Sequence, residues 1–376
     1  MSKGRHVCFL TGTLNAMAGA ERMTAVIANA LAESGHTVSI LSLWDKESCF
    51  PLHPSVRHEA LFVERPSFKK AYVATVAGIR RYCRDQKVDV LVQVDTMLAL
   101  FALPATVGLG VEHIAWEHCH FDEDLGKQAR RFARRLAARY CKYVVVLTER
   151  DRQRWEEALH PRSRVVAIPN PLPFPFPEEP APRTSKTVLA MGRLVHAKGF
   201  DVLIRAWKRV AAEAPDWNLV IHGEGAERPA LTALVDQLGL HETVSLPGIC
   251  RDGAIAYRRA SVFCLSSRYE GFGLVLLEAM AFGLPIVSTD CETGPKELLQ
   301  IGENALLVSA GNAESLAEGL LQIIRKPEEA ARIGATGRET AVAFALPDIA
   351  AKWGRLAGEC EGNADPDGFP SICQRK

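Results

Sequence analysis

Short apolar runs alternate with helix-spaced amphipathic stretches along almost the whole chain. Val7–Leu10 is the first run, and a helical pattern from about Ala20 to Ser34 follows it until Gly35. Thr37–Leu43, Val88–Val94, His113–Trp116 and Tyr143–Leu147 repeat the theme. Later come Val188–Met191, Leu219–His222, Val244–Leu246, Val262–Leu265 and Pro285–Thr289, again with helix-length segments between them. Runs this short and continuously apolar predict parallel strands covered by helices on both faces. Seven prolines between Pro169 and Pro182 interrupt the alternation, a density that no regular element tolerates.

The expectation is an α/β chain of two doubly wound, Rossmann-like domains facing each other across a cleft, with ligands at the carboxyl ends of the strands. The first domain is placed at 1–170, a Pro-rich linker at 171–186 and the second domain at 187–345. A last helix at 346–360 precedes a polar tail, 361–376, that lacks periodicity and is expected to be disordered. A length of 376 residues suits two domains of ordinary size.

Net charge is +1, with 48% apolar and 24% charged residues, the balance of a soluble globular protein. The two parts differ: residues 1–170 carry 24 Lys/Arg against 18 Asp/Glu, and residues 171–376 carry 21 against 26. A basic front part points to an anionic partner, whether membrane surface, phospholipid or phosphorylated acceptor. Nucleic acid is not expected, because no aromatic-interleaved basic strand pair occurs. Residues 127–142 concentrate this charge. Ala129, Phe132, Ala133, Leu136, Ala137 and Tyr140 make one stripe, and Lys127, Arg130, Arg131, Arg134, Arg135, Arg139 and Lys142 cover the opposite side. Such a helix lies on anionic lipid, packs as core with a solvated face, or meets an acceptor phosphate.

Ten cysteines include no Cys-x-x-Cys pair and read as reduced cytosolic thiols rather than disulfides or zinc ligands. Lys3 and Arg5 lead directly into a strand, so no signal peptide is expected. The longest uncharged stretch, Thr96–Val111, contains Pro104, Gly108 and Gly110 and is too short to span a bilayer.

Candidate chemistry concentrates in the second half. Gly192-Arg193 ends a strand and Lys198-Gly199 opens the next helix, so Arg193 and Lys198 can converge on one anion. Glu270 lies in the turn after Val262–Ser266, where Gly271 and Gly273 leave the amides of Phe272, Gly273 and Leu274 open to a ligand. Glu278 falls one turn inside an apolar helix, Leu274–Phe282, and needs a partner that ribose hydroxyls would supply. An isolated Arg-x4-Lys pair is ordinarily solvated loop charge. Combined, cations for a diphosphate, open amides and hydroxyl-binding carboxylates describe a nucleotide-sugar site.

These residues resemble the retaining glycosyltransferases of family 4 over roughly 5–345. The resemblance is carried by Glu270 and Glu278 in an E-x7-E element, the Gly-Arg…Lys-Gly element, Thr148-Glu149 and Ile168-Pro169-Asn170-Pro171. It implies the GT-B fold, with Arg193 and Lys198 beside Gly192 on the donor diphosphate. It further implies Glu270 on donor-sugar hydroxyls, Glu278 on the nucleotide ribose, and the Gly271–Leu274 amides on sugar and phosphate. Gly223-Glu224-Gly225 and Leu246-Pro247-Gly248 match segments that line the family's nucleotide pocket. Gly294-Pro295-Lys296-Glu297 resembles a segment of bacterial members that build surface polysaccharide, often with galactose or its N-acetyl derivative.

On the acceptor side, Gly12 ends the first strand, and Gly19-Ala20-Glu21-Arg22 resembles the family's Gly-Gly-x-Glu-Arg element, with Ala18 where its first glycine is usual. The family often places a histidine near the acceptor and the anomeric carbon at the position of Trp116-Glu117-His118-Cys119-His120. His118 is assigned that role ahead of His120, which is grouped with the acceptor site. The competing reading is a strand-end histidine making only a local hydrogen bond.

The expected activity is transfer of a hexose or N-acetylhexosamine from a UDP-linked sugar to a lipid-linked or lipopolysaccharide-type glycan. No cofactor and no metal are expected, since no Asp-x-Asp stands at a strand end and two cations are available for the leaving diphosphate. The protein is expected in the cytoplasm, peripheral at the inner face of the membrane. A dinucleotide oxidoreductase is excluded by the lack of Gly-x-Gly-x-x-Gly after a strand. A non-catalytic nucleotide-sugar-binding protein of the same fold is the alternative.

Overall fold

The computed structural model describes residues 4–124, 126–250, 252–270, 272–291, 295–299 (backbone alone at 296 and 297) and 302–358. Two compact units divide at Pro173/Phe174, and the chain from Leu346 onward belongs to the first unit. The expected tail, 361–376, lies outside the described residues.

The first unit contains β1 (His6–Thr11), α1 (Gly19–Glu33), β2 (Thr37–Trp44), β3 (Arg57–Phe62), α2 (Tyr72–Asp85), β4 (Val90–Val94), α3 (Ala99–Thr106), β5 (Glu112–Trp116), α4 (Gln128–Tyr140), β6 (Tyr143–Val146), α5 (Glu149–Leu159) and β7 (Arg164–Ala167). Its sheet is parallel throughout, in the order β3-β2-β1-β4-β5-β6-β7. Burial on both faces explains the continuous valine runs, and it forces the one polar side chain inside β4 to find a partner. Gln93 Nε2 lies 2.8 Å from His113 Nδ1 on β5.

The second unit contains β8 (Thr187–Met191), α6 (Phe200–Glu213), β9 (Asn218–His222), α7 (Arg228–Leu238), β10 (Val244–Gly248), α8 (Gly253–Arg258), β11 (Val262–Leu265), α9 (Leu274–Ala281), β12 (Ile286–Thr289), α10 (Pro295–Leu298), β13 (Leu306–Val308), α11 (Ala313–Arg325) and α12 (Pro327–Val342). Its sheet order is β10-β9-β8-β11-β12-β13, again parallel. Strand order therefore reverses beside the first strand of each sheet, between β1 and β4 and between β8 and β11. In such sheets the crevice at the carboxyl ends of those strands is the ligand position.

The proline-rich segment carries no helix or strand and is strapped to the second unit. Ala181 N donates to Phe282 O at 2.7 Å, and Arg338 donates to the carbonyls of Pro177 and Glu178. α13 (Leu346–Gly358) returns to the first unit. There Trp353 packs 4.6 Å from the Trp116 ring.

The basic helix corrects an expectation. α4 buries Arg130, Ala133, Arg134, Ala137 and Ala138, while Phe132 and Tyr140 of the expected inner stripe are exposed. The face is set by a buried carboxylate. Glu117, 1% exposed, accepts from Arg130 Nη1 at 3.1 Å, Arg134 Nε at 3.0 Å, Thr96 Oγ1 at 2.6 Å and the amide of Cys119 at 3.0 Å. Arg130 also grips both oxygens of Asp95, at 3.0 and 2.8 Å. Charges so paired can be buried, and the small Ala133, Ala137 and Ala138 let the helix approach the sheet. A scan by periodicity alone cannot see that two of the seven cations have partners waiting inside.

Removing one partner strands the other. Arg130→Ala is expected to cost about 3–5 kcal/mol in denaturant unfolding, whereas Arg135→Ala, at an exposed position, should stay within about 0.5 kcal/mol. Equal small losses would contradict the inward assignment of Arg130.

Candidate active site

The loop after β8 and the loop after β11 flank the switch point of the second sheet, and hydrogen bonds stitch them together. Ser266 Oγ donates to Lys198 O at 2.8 Å, and the Arg268 amide donates to Ala197 O at 2.8 Å. Arg268 also donates to His196 O at 2.9 Å and forms a two-pronged pair with Asp201, at 2.7 Å for each prong. This guanidinium holds the Asp201 carboxyl below its ordinary pKa.

Two glycines make this approach sterically possible. At Gly199 (φ +63°) an added Cβ would fall 2.1 Å from Ser266 O, and at Gly223 (φ +150°) one would fall 1.8 Å from Gly192 O. Neither carbonyl can yield without moving the loop that carries it. Gly223 therefore locks the β9 loop against Gly192, a structural reason for its place beside the site.

Lys198 and Glu270 meet directly. Lys198 Nζ lies 2.5 Å from Glu270 Oε2, which also accepts from Ser267 Oγ at 3.1 Å. Thr289 Oγ1 in turn donates to Ser267 O at 2.6 Å, holding the turn that presents Glu270. The lysine stem lies over Gly192, with Cε 3.4 Å from where a Cβ would stand. Arg193 is exposed, and among the described residues its side chain has no ion pair. The sequence reading placed Lys198 with Arg193 around one anion; the structure adds the carboxylate that holds the ammonium.

Gly273 (φ +81°) starts α9 in the left-handed conformation, and Leu274 is the first helical residue. The first amides of a helix have no partner within it, so this terminus favours an anion. Phe272 is buried and its ring packs 6.2 Å from Phe344, so it can offer a ligand only its backbone. Gly271 and Gly294 lie outside the described residues, as do the side chains of Lys296 and Glu297. Glu278 is 1% exposed on α9 and turns toward the segment after β10. Its Oε2 lies 3.6 Å from the position of a Cβ on Gly253.

In the first unit, the residues proposed for the acceptor sit after β1 and β5. Gly12 makes room for a neighbour: a Cβ there would press within 2.9 Å of the Trp44 ring. Gly19 is the first residue of α1, and Glu21 lies in its first turn. His118 rests on Trp116, ring centroids 4.4 Å apart, and its Nε2 is buried with no hydrogen-bond partner. Burial pulls its pKa down to about 4, against a smaller opposing pull from Asp95, so the imidazole is neutral at pH 7. His120 is enclosed differently. Its Nδ1 accepts from the Asp122 amide at 3.2 Å, and its carbonyl accepts from Arg134 at 3.0 Å. Arg134 also donates to the carbonyls of Phe121 and Glu123, so it shapes the loop that follows His118. Each ring thus keeps a buried Nε2 without a hydrogen bond, but the two differ in setting: His120 is tied into the loop through its Nδ1 and carbonyl, and His118 is held by its ring contact with Trp116.

Sequence reasoning missed Ser266, Ser267, Arg268, Asp201 and Thr289, and in the first unit the roles of Asp95 and Glu117. None belongs to a spacing pattern. Asp95 alone left a trace, a polar residue directly after an apolar strand. Among the described residues no three His, Cys, Asp or Glu side chains gather in the manner of a metal site. Burial pushes the neighbouring thiols of Cys119 and Cys291 up to about 11, which disfavours the thiolate at neutral pH.

Two parallel-sheet Rossmann-like units, each with its strand reversal at the first strand, define the GT-B architecture. A family model described as "Glycosyl transferases group 1" matches residues 174–340, and one described as "Glycosyltransferase Family 4" matches residues 17–174. An uncharacterized glycosyltransferase of Haemophilus influenzae is 32% identical over 349 residues, 93% of this chain and 99% of that protein. The chain therefore belongs to the glycosyltransferases. A Campylobacter jejuni enzyme named N-acetylgalactosamine-N,N'-diacetylbacillosaminyl-diphospho-undecaprenol 4-alpha-N-acetylgalactosaminyltransferase is 37% identical over 135 residues, 36% of each protein. The crystal structure of Anabaena HepE in complex with UDP-glucose superimposes with a TM-score of 0.77 at 19% identity, over 93% of this chain and 98% of that one.

The histidine geometry has a pH consequence. A folded-state pKa of about 4, below the ordinary value near 6.5, contributes stability that is complete above pH ~6.5 and lost as pH falls toward 4. NMR titration should find the His118 ring neutral at pH 6, and His118→Gln should lose less stability than wild type between those limits. A midpoint at or above 6.5 would contradict the burial assigned to this ring.

Proposed function

We propose that the protein transfers a hexose or N-acetylhexosamine from a UDP-linked sugar to a lipid-linked or lipopolysaccharide-type glycan, retaining the anomeric configuration. The observation that carries this reading is the Lys198–Glu270 pair, held at 2.5 Å in the crevice where the second sheet reverses. An ammonium and a carboxylate side by side suit a ligand with an anionic diphosphate next to neutral sugar hydroxyls. UDP-glucose bound to the HepE structure and the undecaprenol-linked substrate in the Campylobacter enzyme's name support the donor and acceptor classes.

Lys198 and Arg193 neutralise the leaving diphosphate, and the amides at the start of α9 add hydrogen bonds to the same charge. Glu270 accepts from donor-sugar hydroxyls, and Glu278 from the ribose. The acceptor hydroxyl attacks the anomeric carbon from the face the diphosphate leaves. The new carbon–oxygen bond forms as the bond to phosphate breaks, and the hydroxyl proton passes to the departing phosphate. UDP leaves with that proton. Gly12, Gly19, Glu21 and the neutral His118 are assigned to the acceptor side. The reaction needs no metal ion, since two protein cations carry the compensating charge. A polyprenyl- or lipid-linked acceptor would place the protein at the inner face of the cell membrane; among the described residues no helix is long and apolar enough to cross one.

Incubation of the full chain with UDP-hexoses, lipid-linked acceptor and excess EDTA tests the reading, with product configuration followed by NMR. Transfer with retention should persist in chelator, and Lys198→Ala and Arg193→Ala should each slow it at least roughly thirtyfold, about 2 kcal/mol. Inversion, loss of activity restored by Mg²⁺, or near-normal turnover of Lys198→Ala would each overturn part of it.

A further inference from the structure

The correction to α4 exposes a surface that the transfer reaction does not use. With Arg130 and Arg134 turned inward, Phe132, Leu136 and Tyr140 stand one turn apart on a single outer face. They line a groove of about 670 Å³ with Tyr72 of α2, Leu103 of α3 and Val107 just beyond α3. Its rim is apolar and open: Val107 is 69% exposed, Phe132 55% and Tyr140 62%. Single exposed apolar side chains are ordinary, but several lining one groove mark a contact surface.

Charge identifies the partner. α2, α3 and α4 carry eight arginines against one acid, Asp85, and six of those arginines are exposed. Asp85 is already taken by Arg84 at 2.8 Å, and Arg131 pairs with Asp124. Arg80 donates to the carbonyls of Ala105 and Val107 at 2.9 and 2.8 Å, which puts a cation under the rim. Arg139 lies 5.5 Å from the Tyr140 ring centroid, and Arg135 precedes Leu136 on the same helix. An apolar slot edged by a tyrosine and ringed by guanidinium groups matches acyl chains beneath a layer of phosphates.

We propose that the α2–α3–α4 groove docks the protein on an anionic lipid bilayer, with Val107, Phe132 and Tyr140 entering the acyl boundary and Arg80, Arg135 and Arg139 meeting lipid phosphates. This names a partner surface for the lipid-linked acceptor proposed above, but it is read without donor or acceptor, so its failure is separate from failure of the transferase reading. It also replaces the sequence-based contact face: Arg130 and Arg134 take no part.

Co-sedimentation of the full chain with vesicles of phosphatidylglycerol and phosphatidylcholine, and with pure phosphatidylcholine, tests it. Wild type should sediment with the anionic vesicles alone, and less as salt shortens the Debye length. The double variants F132S/Y140S and R135E/R139E should each lower the bound fraction at least about fivefold, while melting and eluting like wild type because all four side chains are exposed. Wild type that ignores anionic vesicles, binds neutral vesicles equally, or is undiminished in F132S/Y140S would overturn the proposal. So would a dimer in light scattering that F132S dissociates, since a second copy would then be the occupant.

Discussion

Two backbone carbonyls in the second unit occupy space that a single methyl group would fill. Ser266 O stands against Gly199 and Gly192 O against Gly223, so the loops after β8, β9 and β11 can close on one another at the switch point. From that contact follows the rest of the candidate site. Ser266 can reach Lys198 O, Arg268 can reach Ala197, His196 and Asp201, and Lys198 can then lie across Gly192 to Glu270. The ion pair is thus a consequence of loop packing, held in place before any ligand arrives. Preorganised charge of this kind stabilises a departing anion without rearrangement during the reaction.

The first unit solves a different problem with different means. Its loop after β5 has no glycine close approach and is organised instead by charge buried in pairs. Glu117 collects two guanidinium groups, a hydroxyl and an amide, and Arg134 distributes its remaining donors over three loop carbonyls. Asp95, gripped by Arg130, carries φ +103° without being glycine, a conformation that persists only where neighbours over-determine it. The arrangement leaves the His118 ring half-buried on Trp116 and neutral.

Much of the architecture was legible because parallel strands buried on both faces must be continuously apolar. Every such run anticipated from sequence, from Val7–Leu10 to Pro285–Thr289, overlaps an observed strand, with Val88, Leu147 and Pro285 falling just outside β4, β6 and β12. The strands not anticipated, β3, β7 and β13, lie at sheet edges and are polar or short; Arg57–Phe62 contains only exposed and half-buried residues and looks like a loop by composition. The motif residues Arg193, Lys198, Glu270 and Glu278 were visible as unusual chemistry at strand and helix ends. Their supports were not, because Ser266, Arg268 and Asp201 act through contacts across 60 or more residues of sequence, as in the Arg268–Asp201 pair with its separation of 67. The face of α4 was misjudged for the same reason: amphipathicity assigns arginine outward unless a buried carboxylate elsewhere in the chain receives it.

The central claim is that the crevice at β8 and β11 binds a nucleoside diphosphate through the Lys198–Glu270 pair. Calorimetric titration of UDP into the full chain, wild type and Lys198→Met, tests it without an acceptor, a lipid or a known sugar. The account predicts measurable binding in wild type and at least about tenfold weaker binding in the variant, or roughly 1.4 kcal/mol, with unchanged thermal unfolding of the ligand-free protein. Absence of UDP binding, or equal affinity in a folded Lys198→Met protein, would contradict it.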